Sequence, residues 1–255
     1  MRKVWIICWK ELRSYFVSPI GYAVIALFAF IFGLVFYIAS NDFMKYTFRA
    51  QQFGGGGPTM NVNEQIIRPI FGFVGTVCLF LIPLITMRLF AEERKNGTIE
   101  LLLTSPIEDL AIVLGKWLGA LFLYVCALGT SLLTIALLFA WGKPDWKPLA
   151  VAYLGMVLQG ACLLALGTFL SALTSNQIIA AGTTFFGSLA LYMLSWFTFE
   201  DSKTSRVLSY VSVITHMENF SKGIIDLKDV VYYVSFVFLC LFLVFRQMES
   251  LRWRS

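Results

Sequence analysis

Ionisable side chains are what this chain has least of. Charged residues make up 14% of its 255 residues, against 58% hydrophobic ones, and the mean hydropathy is +0.77. So few polar groups cannot cover a water-soluble globule of this size, which makes the chain an integral membrane protein. Histidine occurs once, at His216, in a polar stretch where a surface or packing role fits better than catalysis. No HExxH pattern and no nucleophile with a neighbouring base is present, so no catalytic residue and no metal site is assigned. The five cysteines, Cys8, Cys78, Cys126, Cys162 and Cys240, stand apart in apolar surroundings without CxxC spacing. They read as small hydrophobes.

Nucleotide-binding signatures are missing too. The run Gly54-Gly55-Gly56-Gly57-Pro58 lacks a following Gly-Lys-Ser/Thr and lies between two apolar stretches, so it reads as a flexible linker. Gly115-Lys116 is followed by Trp117 inside a helical stretch and is no phosphate loop either. No basic cluster grips phosphates, and the formal charge of +5 suits an anionic membrane face better than nucleic acid. The centres of the apolar runs hold no Asp, Glu or His; Gln159 is their most polar residue. That argues against a proton- or ion-coupled carrier, and the lack of a selectivity ring argues against a channel. Charges at Lys10, Glu11 and Arg13 interrupt any signal-type core after Arg2 and Lys3.

What the chain has in plenty is apolar sequence. Six runs, at about residues 20–39, 69–87, 112–140, 149–173, 178–199 and 230–245, are near the length a bilayer crossing needs. The expected fold is therefore an all-α integral membrane domain of six transmembrane helices over residues 1–255. Ahead of the first run, residues 2–16 place Trp5, Cys8, Trp9, Leu12, Tyr15 and Phe16 on one side, with Lys3, Lys10, Arg13 and Ser14 on the other. An amphipathic interfacial helix fits this pattern, and a basic leader to the first span is the plainer alternative. Pro83 near the end of the second run is tolerable if neighbours re-satisfy the freed carbonyl. Residues 41–68 and 200–229 are polar connections, and 211–227 fits short helices at or dipping into the outer surface. Gly115 and Gly119 form a GxxxG pair, with Gly155, Gly160, Gly167, Gly182 and Gly187 in the later runs; packing within the chain is preferred to a dimer face. Six spans put both ends of the chain on one side, and the basic residues at those ends place them in the cytoplasm.

Residues 87–109 form a charged interruption between the second and third runs. Glu92 and Glu93 are followed by Arg94 and Lys95, an Asn96-Gly97 turn, and a short helix-compatible piece from Thr98. A second helix start follows, with Ser105 as cap, Pro106 at the first position, Glu108 closing a capping box and Asp109 adding charge at the dipole's positive end. The stretch is built as a rigid handle; an ordinary solvated loop with a helix cap is the plainer alternative.

Residues 85–106, reading ITMRLFAEERKNGTIELLLTSP, resemble the hallmark of the ABC type-2 exporter permeases, in particular the gliding-motility (Gld) permease subgroup. Lys10-Glu11-Leu12, Ser18-Pro19-Ile20-Gly21 and Gly223-Ile224-Ile225-Asp226 extend the resemblance over essentially the whole chain. It implies a non-catalytic permease subunit of the bacterial inner membrane that dimerises with a second copy or a paralogue and binds two ATPase subunits, on which ATP and Mg reside. It further implies an amino-terminal elbow helix at residues 2–16, a coupling helix within 88–109, and re-entrant helices before the last span. Glu92, Glu93, Arg94, Lys95, Gly97, Thr98 and Glu100 would then be the ATPase-coupling residues, with no cofactor on this chain. Membrane lipid and an accessory extracytoplasmic protein are further expected partners, and the cargo is unidentified. A scaffold that passes ATPase-driven mechanical work to another protein is the alternative to export.

Overall fold

The structure is a computed structural model that describes residues 2–52, 63–103, 107–141, 144–197 and 203–252. Helix is the only regular secondary structure among them. In chain order the helices are α1 (Arg2–Val17), α2 (Pro19–Gln52), α3 (Arg68–Thr86), α4 (Ala91–Lys95), α5 (Ile99–Leu103), α6 (Asp109–Trp141), α7 (Trp146–Leu173), α8 (Gln177–Met193), α9 (Lys203–Val211), α10 (Val213–Ser221) and α11 (Leu227–Arg252). A π-helical turn, Asn63–Ile67, leads into α3, and a tighter turn, Leu194–Phe197, closes α8.

Among the described residues six segments are long and apolar enough to cross a membrane: Pro19–Arg49, Asn63–Lys95, Asp109–Ala140, Trp146–Leu173, Gln177–Trp196 and Leu227–Arg252. The chain is a multi-pass, all-helical membrane protein, as its composition dictates. Several boundaries differ from the hydropathy reading. With 34 residues, α2 runs well past Ala39 and carries Asp42, Lys45 and Arg49 with it. At a rise of about 1.5 Å per residue it is roughly 50 Å long, against the ~30 Å of a hydrocarbon core. Nothing between Asn41 and Gln52 breaks a helix, so it propagates beyond the apolar run. The glycine run and the Ser105-Pro106 capping box lie outside the described residues.

The core is organised on α7, which packs against α3, α6, α8, α10 and α11. Small residues along it admit large neighbours. A Cβ at Gly155 would lie 2.5 Å from Phe220, one at Gly160 2.1 Å from the Tyr124 ring, and one at Gly167 2.4 Å from Thr86 Oγ1. Helices without side chains at these points approach closely enough to replace lipid contacts with protein ones.

The most extensive contact outside α7 is between α1 and α6, which run parallel in sense. A Cβ at Gly115 would come within 2.7 Å of Ile7, and one at Gly119 within 2.8 Å of the Glu11 Cβ. The pair of glycines is thus the seat of α1. The face α1 buries is Ile7, Cys8, Glu11 and Tyr15, while Trp5 and Trp9 are exposed, Trp9 at 62%. Helical spacing sets Glu11 on the same side as Cys8 and Tyr15, where a carboxylate is tolerated because Lys116 meets it. The hinge from α1 into α2 explains the Ser18-Pro19-Ile20-Gly21 motif. Pro19 opens α2 where its missing N–H costs nothing, and a side chain at Gly21 would run into the Tyr15 carbonyl at 2.5 Å.

Candidate functional site

The charged stretch after α3 closes on the rest of the protein through one buried ammonium group. Lys116 lies on α6 immediately after Gly115 and is 1% exposed. Its Nζ donates to Glu11 Oε1 at 3.0 Å, Glu93 Oε1 at 2.9 Å and the Leu89 carbonyl at 2.7 Å. All three of its donors are used. The Phe90 ring centroid lies 5.2 Å from the same nitrogen, within cation–π range. Lys10 sits 3.6 Å from both carboxylates at the rim, so two lysines face two glutamates and the charge cancels. Burying a lysine is expensive unless it is paired and fully hydrogen-bonded, and these contacts meet both conditions. One group therefore ties α1, α4 and α6 together.

The neighbouring residues add further ties. Arg88 donates from Nε to Glu92 Oε2 at 2.8 Å and from Nη1 to Ser18 Oγ at 2.9 Å. The backbone N–H groups of Phe90 and Ala91 both reach Ser171 Oγ at 3.2 Å. The first turn of α4 is thereby capped by a side chain from α7, a long way off in sequence. Arg94 Nη1 donates to the Ala172 carbonyl at 2.7 Å, placing a cation at the negative end of α7. Tyr15 donates its hydroxyl to the Ile85 carbonyl at 2.7 Å. Burial first, then the Glu11 carboxylate, pushes this phenol far above its ordinary range, so it stays a neutral donor.

Beyond Lys95 the chain turns outward. Gly97 takes φ +69°, the left-handed conformation of the expected Asn96-Gly97 turn, and α5 follows. Lys95, Asn96, Gly97, Thr98 and Glu100 are exposed, and Leu101 is 73% exposed. Between this knuckle and α1 lies a concavity of about 430 Å³ lined by Lys10, Ser14, Arg88, Glu92, Asn96 and Leu101 among others.

The profile of the family described as ABC-2 family transporter protein matches residues 5–244, nearly the whole chain. This protein belongs to the ABC-2 family. It is also similar to the probable multidrug ABC transporter permease YbhR of Escherichia coli K12, at 25% identity over 175 residues. That match covers 68% of this chain and 46% of the relative, and the same figures hold for YbhR of Escherichia coli O157:H7. The chain thus covers less than half the length of these curated relatives.

In this ABC-2 permease the residues singled out in the charged stretch divide into two sets. Glu92, Glu93 and Arg94 turn inward and bind the permease's own helices. Lys95, Gly97, Thr98 and Glu100 stand on the exposed knuckle, where Thr98 Oγ1 donates back to the Glu93 carbonyl at 3.4 Å. Gly115 and Gly119 flank Lys116 and hold α1. Glu11, Lys116, Ser18 and Ser171 carry the ties and were not assigned from sequence. A signal for two of them existed: a lysine in an apolar helix and a glutamate on the apolar side of an amphipathic one each need a partner.

His216 also departs from its expected place in a polar loop. It lies on α10, 3% exposed, with Nδ1 2.6 Å from Asp229 Oδ1 and Nε2 2.8 Å from the Tyr210 carbonyl. A carbonyl only accepts, so Nε2 is the donor in the contact with Tyr210. Asn219 donates to Asp229 Oδ2 at 2.8 Å, and the Tyr232 ring stacks on the imidazole with centroids 4.0 Å apart. The arrangement is enclosed and has no open face for a reactant; it fastens α10 to the start of α11.

Proposed function

We propose that this ABC-2 protein is the permease subunit of an ATP-driven exporter in a bacterial inner membrane. A separate ATPase docks on the knuckle formed by Lys95, Gly97, Thr98, Glu100 and Leu101, in the cytoplasm, and carries the ATP and Mg. The observation that supports this reading is the division of the charged stretch into an exposed knuckle and a root tied into three helices through Lys116. Force applied to the knuckle enters α3 directly and reaches α1 and α6 through the Lys116 contacts. Packed elements joined this way move as units.

On this reading α1 is the elbow helix at the membrane interface, with Trp5 and Trp9 toward lipid, and α9 and α10 are the short helices that re-enter from the outer side. Two permease chains, identical or paralogous, associate and engage two ATPase subunits, within the gliding-motility type subgroup that residues 85–106 resemble. Membrane lipid surrounds the dimer, and an accessory extracytoplasmic protein meets its outer end. The name of the YbhR relatives makes small drug-like molecules the first cargo to try.

Glu92 and Glu93 are poor targets for testing docking, since their reversal breaks the permease's own contacts. Leu101→Asp combined with Glu100→Lys changes only exposed side chains. Affinity purification from the native host should then retain roughly tenfold less ATPase, with permease insertion and melting temperature unchanged. Undiminished ATPase retention in that variant would contradict the docking assignment.

A further inference from the structure

A second cavity, of about 590 Å³, lies between α3, α7, α8 and α10 at the end opposite the charged knuckle. Its mouth carries charges of both signs, Glu64, Arg68 and Glu218, with Arg68 Nη2 3.5 Å from Glu218 Oε1. Its walls include Pro69, Ile214, Met217 and Tyr192. Two glycines on α3 open space along it. A Cβ at Gly72 would meet nothing within 4 Å, and one at Gly75 would press on the Gln159 amide at 3.3 Å.

Gln159 is the anomaly. It lies midway along α7, is 1% exposed, lines this cavity, and neither its Oε1 nor its Nε2 has a hydrogen-bond partner. Leaving both ends of a buried amide unmet forfeits its hydration with nothing in return. Native structures meet such groups with protein, water or ligand, and no side chain in reach does so here. The cavity is within the roughly 300–1,000 Å³ typical of small-molecule sites. A single water occupies about 30 Å³, so one or two waters on the amide would leave most of this space against apolar walls.

We propose that this cavity is a binding site for an amphipathic small molecule whose buried end is a neutral group that both donates and accepts, a carboxamide being the best match to Gln159. An amide facing an amide meets Oε1 and Nε2 together. An ionised group at that depth has no countercharge, because the charged residues are at the mouth. There, Arg68 and the two glutamates tolerate a polar distal end of either sign.

Binding is read without ATPase or cargo movement, so its outcome is independent of the transport reading. The full chain in lipid nanodiscs is irradiated with a medium-chain fatty primary amide carrying a mid-chain diazirine, and adducts are mapped by mass spectrometry. The matching diazirine alkane, lacking the amide, is the control. The amide should label peptides containing Gly72, Tyr192 and Met217 about tenfold more than the alkane, the worth of one good buried hydrogen bond. Gln159→Leu should abolish that preference. A Cβ at Gly72 enters open space, so Gly72→Leu grows into the cavity and should remove the labelling while leaving the melting temperature unchanged. Equal labelling by amide and alkane, a preference that survives Gln159→Leu, or adducts confined to the lipid-facing surface would each overturn the proposal.

Discussion

Two buried polar clusters hold opposite ends of this permease, and they are built differently. Around Lys116 the groups come from three separate segments, α1, the turn into α4, and α6, and the cluster borders an open concavity, with Glu93 Oε2 left unpaired. Around His216 they come from one contiguous stretch, residues 210–233, and aromatic rings cover them. The first joins elements that are distant in the chain and would otherwise slide past one another. The second fixes a local corner. A cluster made of remote parts transmits displacement, whereas one made of neighbours resists it.

Breaking the first should cost the most. Lys116→Met strands the Glu11 and Glu93 carboxylates in a buried site, with an expected loss of about 3–5 kcal/mol, read as a lowered melting temperature in detergent. The triple variant Glu11→Gln, Glu93→Gln, Lys116→Met removes every buried charge at once and should recover most of that loss. If the single and triple variants melt together, the lysine does not compensate those carboxylates. Asp229→Ala comes second: it leaves the imidazole of His216 and the amide of Asn219 each short of a partner, for about 2–3 kcal/mol. Unlike Lys116→Met, it should leave protease sensitivity of residues 86–101 unchanged.

The smallest effect belongs to the exposed pairs at the cavity mouth. The hydrogen bond from Lys222, followed by its charge and that of Arg68, holds the Glu218 carboxyl below its ordinary 4.5 despite some burial. A depressed folded-state value means the stabilisation is present above the unfolded value and is lost as pH falls through the folded one. Solvent screening keeps it under about 0.5 kcal/mol. Glu218→Gln should therefore lower the melting temperature slightly at neutral pH, match wild type in acid, and flatten the shallow loss that wild type shows below the ordinary carboxylate range.

The same contrast explains what the sequence made legible. Apolar run length revealed six crossings because each depends on one segment and the bilayer alone. The Asn96-Gly97 turn was legible because left-handed backbone is a local demand that glycine meets. Glu11 and Lys116 were not, since their pairing joins positions 105 residues apart and hydrophobic periodicity scores each as misplaced. Ser171 was invisible for the same reason: a helix cap supplied from another helix leaves no mark beside the helix it caps. For His216 a surface or a packing role stayed open in the sequence, because the partners that decide for packing, Asp229 and the Tyr210 carbonyl, lie 13 and 6 residues away. The end of α2 lies beyond its apolar run because hydropathy reports where lipid ends, and helices end where the backbone is interrupted.

The shared tie through Lys116 is tested most directly by hydrogen exchange on the intact permease in nanodiscs, comparing wild type with Lys116→Met. If one ammonium joins α1 to the root of α4, amides of residues 2–17 and of residues 88–95 should both exchange faster in the variant, by a similar factor, with α7 and α8 unchanged. Faster exchange in residues 88–95 alone, with α1 as protected as in wild type, would contradict it.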